Sequence, residues 1–155
     1  NLPILVICSG AKSILDLQAT REYLETAGIP VLGYGTHEFP AFYSSNSGLK
    51  VDYRIDTPAE AAQFAKLHWD LGLNSAVLVT VPIPKEFDIP FAEMEQIIER
   101  ALEEMETQKI SGAAATPFLL ARVSQLTGEK SLASNIALLK NNACIAAQIA
   151  IEFYR

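Results

Sequence analysis

Two runs in this chain, "ILVIC" (4–8) and "SAVLVTV" (75–81), are apolar and β-branched with almost no polar interruption. A strand whose successive side chains are all apolar has no face to give to water, so both faces must be covered. Between these runs the apolar spacing lengthens to that of a helix. "KSILDLQATREYLETAG" (12–28) carries Ile14, Leu15, Leu17, Ala19, Tyr23 and Leu24 on helical spacing and stops at Gly28. "IPVLGYG" (29–35) reads as a second strand, and "VDYRID" (51–56) alternates like a short edge strand. "TPAEAAQFAKLHWDLG" (57–72) opens on Thr57 as N-cap, Pro58 at the first helical position and Glu60 completing a capping box. Helical patterns follow at 90–108, 115–127 and 131–155. Strand and helix in alternation predict an α/β fold, three layers α/β/α around a mostly parallel or mixed sheet.

The 155 residues, half of them apolar, suit one domain; no internal repeat or low-complexity linker divides them. A formal charge of -6 without a basic stripe gives nucleic acid no footprint. Cys8 and Cys144 are too few and too far apart for a disulfide framework, so both read as free thiols of a reducing, cytoplasmic compartment. No continuous apolar run reaches the ~18 residues of a membrane span, and "LPILVIC" lacks the charged region of a signal peptide. No membrane partner is expected.

Lys12 interrupts this pattern. It falls where the first strand ends and a helix is predicted to start, the end of an open α/β sheet at which ligands bind. Helix N-termini disfavour cations. A lysine there is a side chain snorkelling into water, a holder of an anion, or an amine kept for Schiff-base chemistry. "GAKS" is not the tail of a phosphate-binding P-loop, because Ala11 and Val6 stand where that motif needs glycines. Four other stretches are candidates. "GYGTHEFPAF" (33–42) offers His37 and Glu38 as an acid–base pair or as plain polar loop residues. "TVPIPKEFDIP" (80–90) reads as a proline-stiffened connection. His68, beside Trp69 in a helix, reads as structural. "SNIALLKNNA" (134–143) sets Asn135 and Asn142 two turns apart on one face of an apolar helix. Buried amides need partners, from the fold or from a ligand.

Taken in order, "CSGAKSILDLQATREYLETAGIPVLGYGTHEFPAFY", "PIP" and "TPFLLARVSQLTGEKSLASNIALLKNNA" resemble the pseudouridine-5'-phosphate glycosidases, the family that includes the indigoidine synthase A-like proteins. The resemblance runs through essentially the whole chain. It implies reversible cleavage of the C–C glycosidic bond of pseudouridine 5'-phosphate to uracil and ribose 5-phosphate, with a divalent metal (Mn2+) and assembly as a homotrimer. It implies that Lys12, in "GAKSILD", is the catalytic nucleophile that forms an imine with the sugar, and that Asn135 binds substrate. The family's general-acid glutamate, phosphate-binding basic residue and metal-binding aspartate lie ahead of "ILVICSGAKS". Residues 1–155 are therefore expected to be the C-terminal half of one such domain, with the N-terminal half as partner and the metal ligands outside this chain. A catalytically inactive binding or assembly module of the same fold is the alternative. A dinucleotide-binding domain is disfavoured, since "SGAKS" lacks the G-x-G-x-x-G fingerprint.

Overall fold

Four strands, β1 (Leu5–Cys8), β2 (Val31–Tyr34), β3 (Tyr53–Ile55) and β4 (Val77–Thr80), form one sheet in the computed structural model, which describes residues 2–128 and 130–155. Their order is β1-β4-β2-β3 and every pairing is parallel. Five α-helices accompany them: α1 (Leu17–Thr26), α2 (Pro58–Asp70), α3 (Phe91–Thr107), α4 (Ala115–Leu126) and α5 (Lys130–Phe153). The predicted α/β sheet is thus present, and β3 lies at an edge as its alternating sequence suggests.

The connections fix the layers. From β1 through α1 to β2 the chain moves two places along the sheet, and from β3 through α2 to β4 it moves two places back. Right-handed crossovers in opposite directions put α1 and α2 on opposite faces. On the α2 face, Leu32, Ile55, Val77 and Val79 are buried against Ala61, Ala62 and Ala65 of α2 and Ile149 of α5. Each fully buried Val, Leu or Ile contributes about 1.5–3 kcal/mol. The small alanines let α2 lie close to the sheet. Thr57 Oγ1 accepts the Glu60 N–H (3.2 Å), and the Glu60 carboxylate accepts the Asp56 N–H (2.7 Å). The capping box therefore closes one residue earlier than expected.

The other face is thinly covered. Helix α1 buries no residue. Its Arg21 is anchored far from β1, donating to the Lys50 carbonyl oxygen (3.1 Å) and the Asp52 carboxylate, which also accepts the Val31 N–H (2.7 Å). Edge strand β1 consequently leaves Val6 39% exposed, and Ile4, just ahead of the strand, is 50% exposed. The expectation that "ILVIC" is covered on both faces fails within this chain.

Two further corrections concern helices. The helix expected from Lys12 starts at Leu17, because Asp16 caps it, its carboxylate accepting the Ala19 N–H at 2.9 Å. Residues 12–15 form a turn closed by the Leu15 N–H on the Lys12 carbonyl oxygen (2.8 Å). Lys12 thus stands ahead of the helix rather than on its first turn. Helix α5 is, by length and composition, apolar enough to cross a membrane, with a mean hydropathy of 1.2 over 18 residues. No single apolar run in the sequence shows this, because its asparagines and lysine interrupt the runs without lowering the average enough. Its Ser134, Asn141 and Asn142 bond to loops of the domain, and it packs on α2 and β1. Helices α3 and α4 form a hairpin around Met94, Ile98, Ala101, Leu119 and Val123. The Arg122 guanidinium spans this hairpin to Glu104 and holds that carboxyl below its ordinary range.

Candidate active site

Loops at the carboxyl ends of β1 and β2 are welded together. Gly10 bridges Ala41 in antiparallel fashion. It adopts a φ of 75°, and a Cβ there would sit 1.7 Å from the Pro40 carbonyl oxygen. Only glycine permits this approach. The Ser9 carbonyl oxygen accepts the Phe42 N–H (3.0 Å), and Ser13 Oγ donates to the Ala41 carbonyl oxygen (2.8 Å). Lys12 lies between these anchors. Its Nζ is 5.6 Å from the centroid of the Phe42 ring.

A cavity of about 160 Å3 opens here, lined by Lys12, Phe42 and Tyr43 from the loops, Leu120 and Ser124 from α4, and Ser131, Leu132 and Asn135 from α5. Lys12 and Asn135, drawn from opposite ends of the sequence, line the same cavity. Among the described residues the Asn135 side chain has no hydrogen-bond partner, so its amide is available to a ligand. Asn142, on the same helix face, has a different role: its Oδ1 accepts from Ser9 Oγ (3.1 Å) and ties α5 to the turn that carries Lys12. Asn141 donates to the Pro82 carbonyl oxygen (3.4 Å). Burial pushes the Tyr43 phenol up, so it stays a neutral hydroxyl at the cavity wall. Burial likewise pushes up the Cys8 thiol, which suits an inert structural cysteine rather than a nucleophile.

His37 and Glu38 do not line this cavity. The Glu38 carboxylate accepts the N–H groups of Ser47 (3.2 Å) and Gly48 (3.0 Å), which makes it a loop staple. In the 80–90 connection, Asp88 accepts from the Ser45 N–H (2.8 Å) and hydroxyl (2.9 Å), fastening the segment to the 41–50 loop. His68 contacts Ser75 Oγ through Nε2 at 2.9 Å, a structural use. Among the described residues no three His, Cys, Asp or Glu side chains converge. These residues alone do not fit a divalent metal. Sequence reasoning missed Phe42, Tyr43, Ser124 and Ser131. The only available signal was a pair of aromatics in an irregular loop and a serine one turn before Asn135.

Residues 1–152 match the family described as indigoidine synthase A like protein. The chain is 55% identical over 149 residues to a pseudouridine-5'-phosphate glycosidase of Geobacillus kaustophilus, covering 96% of this chain and 50% of the relative. It is 51% identical over 152 residues to the glycosidase of that name from Caldanaerobacter subterraneus, covering 98% and 50%. Among solved structures, a prealnumycin C-glycosynthase in complex with ribulose 5-phosphate superposes with a TM-score of 0.90 at 34% identity, over 96% of this chain and 49% of that one. An indigoidine synthase A-like protein of Thermotoga maritima gives 0.86 at 39% identity, over 97% and 50%. The chain spans about half the length of the curated relatives it matches.

Proposed function

Because the chain belongs to the indigoidine synthase A-like family, we propose that it is one half, the C-terminal half, of an enzyme that reversibly cleaves pseudouridine 5'-phosphate to uracil and ribose 5-phosphate. The observation that carries this reading is the shared cavity of Lys12 and Asn135 in a chain so similar to the glycosidases.

The chemistry follows from the bond. A C–C glycosidic bond has no leaving oxygen for the two-carboxylate route of ordinary glycosides. The bond from the anomeric carbon to the ring oxygen breaks with its electron pair leaving on that oxygen, which takes a proton, while a uracil ring nitrogen sheds its proton and pushes its pair through the ring into a double bond to the anomeric carbon. Neutral Lys12 Nζ then adds to that carbon, and the pair returns to the uracil ring, which regains a proton on nitrogen. The nitrogen lone pair then forms the C=N bond as the C–C bond breaks, and its electron pair passes to the uracil carbon, which takes a proton. Water adds to the iminium carbon and returns the sugar aldehyde and the free amine. Lys12 is the nucleophile, and the Asn135 amide holds a polar group of the substrate. Asn135→Ala should lower activity about ten- to a hundredfold, the worth of one strong hydrogen bond. It should leave the urea midpoint almost unchanged, since the amide has no partner among the described residues and alanine is the better helix former. A large loss of stability with intact activity would make Asn135 a core residue instead.

Among the described residues no acidic side chain lines the cavity, so these residues offer no donor for the uracil proton. We assign that donor to the other half of the protein, together with the cations for the phosphate. The bare face of Val6 on β1 and of Ile4 just ahead of it, and the outward side chains Ile136 and Leu139 of α5, suit burial by that half. Manganese, held by groups outside these residues, a homotrimer and a cytoplasmic setting are parts of the same proposal. The test is reconstitution. Residues 1–155 alone should not condense uracil with ribose 5-phosphate, and adding the remaining half in trans should restore the reaction. Activity from residues 1–155 alone would overturn the division of labour. Inactivity of both halves together, with a complex formed, would favour the inactive assembly module.

A further inference from the structure

We infer that Phe42 is a positioning residue for Lys12: a strained backbone turns its ring under the ammonium and holds the amine at the mouth of the cavity. This rests on the reading of Lys12 as the imine-forming amine. Phe42 has a φ of 65°, a region that bulky L-residues avoid and glycine enters freely. The surrounding loops use glycine at such angles, at Gly10, Gly35 and Gly48, so strain at Phe42 is retained for the side chain. Strain of this kind persists only where neighbours over-determine it. They do here. The Phe42 N–H is fixed on the Ser9 carbonyl oxygen (3.0 Å), and the Ala41 carbonyl oxygen accepts from both Ser13 Oγ (2.8 Å) and the Tyr43 N–H (2.8 Å). The Tyr43 ring meets that of Phe42 edge-on, with centroids 4.9 Å apart and planes at 88°.

Both attachments, Ser9 and Ser13, flank Lys12 in sequence, so the strained loop and the lysine turn move as one unit. The Lys12 Nζ lies 5.6 Å from the ring centroid, within the range where an ammonium is drawn to an aromatic face. Among the described residues no carboxylate pairs with Lys12. The ring therefore restrains a long, flexible side chain without a counter-ion. A carboxylate in that place would hold the ammonium as an ion pair. An aromatic face offers no strong hydrogen-bond acceptor or donor to occupy the nitrogen once it is neutral, and its lone pair stays free for the sugar.

The experiment compares wild type, Phe42→Leu and Phe42→Tyr in the complete enzyme, by the rate at which borohydride traps ribose 5-phosphate on Lys12. Leucine keeps the apolar bulk and removes the face. It should slow trapping about tenfold or more, the scale of a small misplacement of a reacting group. The fall should appear in kcat rather than KM, and the urea midpoint should shift little. Tyrosine restores the face and should bring trapping back to near wild type. Should the leucine variant prove unfolded, Phe42→Met takes its place with the same expected result. Wild-type trapping in the folded leucine or methionine variant would overturn the inference and leave the role of Lys12 standing. Absence of label on Lys12 in wild type would overturn both.

Discussion

Borohydride added to the complete enzyme with ribose 5-phosphate should leave a reduced sugar on Lys12 and on no other lysine. The open-chain aldehyde condenses with the amine, water leaves, and hydride reduces the C=N bond to a stable secondary amine. Peptide mapping then locates the added mass. Lys12→Arg should show no label and lose on the order of 10^4-fold or more in kcat, as when a nucleophile is removed elsewhere. Arginine preserves the positive charge over the Phe42 ring but stays protonated and cannot form the imine. The two substitutions of interest, Lys12→Arg and Lys12→Ala, should both fold normally. Lys12 is half-buried and, among the described residues, in no ion pair, so stability should move by only about 0.5 kcal/mol. Label at Lys50 or Lys85, or none in an active preparation, would remove Lys12 from the mechanism.

Much of this geometry is legible in the sequence because local chemistry and tertiary structure agree. "SAVLVTV" is a buried strand since its apolar residues meet α2 and α5 on one side and the middle of the sheet has neighbours on both edges. Thr57, Pro58 and Glu60 start α2 by capping that depends on a few adjacent residues. The start of α1 was misread because helical spacing of apolar residues begins before the helix does: Ile14 and Leu15 fit the period, yet Asp16 captures the Ala19 N–H and sets the first turn after them. β1 was misread for a different reason. Its composition records burial on both faces, whereas α1 is anchored toward β2 and β3 and one face of β1 stays bare in this chain. Of the residues lining the cavity, Lys12 stands out in the sequence as a charge out of place, and Asn135 as a polar residue on an apolar helix. Phe42 left no comparable trace. Its role depends on a positive φ and on contacts with Ser9 and Ser13, and neither backbone handedness nor long-range docking can be read from an aromatic residue in a loop.

Gly10→Ala should be the most damaging single-methyl change outside Lys12. Two separate costs meet at this position. At a φ of 75° an alanine loses about 1–2 kcal/mol relative to glycine from backbone sterics alone. The added Cβ would also lie 1.7 Å from the Pro40 carbonyl oxygen and 2.6 Å from its carbonyl carbon. Both are backbone atoms, which cannot swing aside as a side-chain tip can. The turn must therefore separate from the 40–43 loop, breaking the Gly10–Ala41 bridge and loosening the Ser9–Phe42 bond. A total loss above about 4 kcal/mol is expected, in the range reserved for changes that disrupt packed backbone. Gly28→Ala supplies the control. Its φ of 64° carries the same conformational cost, but no atom of the described residues lies within 4 Å of the added carbon, so it should lose only about 1–2 kcal/mol. Urea unfolding of both variants separates the clash from the strain. Any Gly10→Ala protein that remains folded should also trap ribose 5-phosphate slowly, because the lysine turn has lost its dock. Equal losses at Gly10 and Gly28 would mean that the Pro40 contact is slack, and that the loop carrying Phe42 is not held against Lys12 in the way the cavity requires.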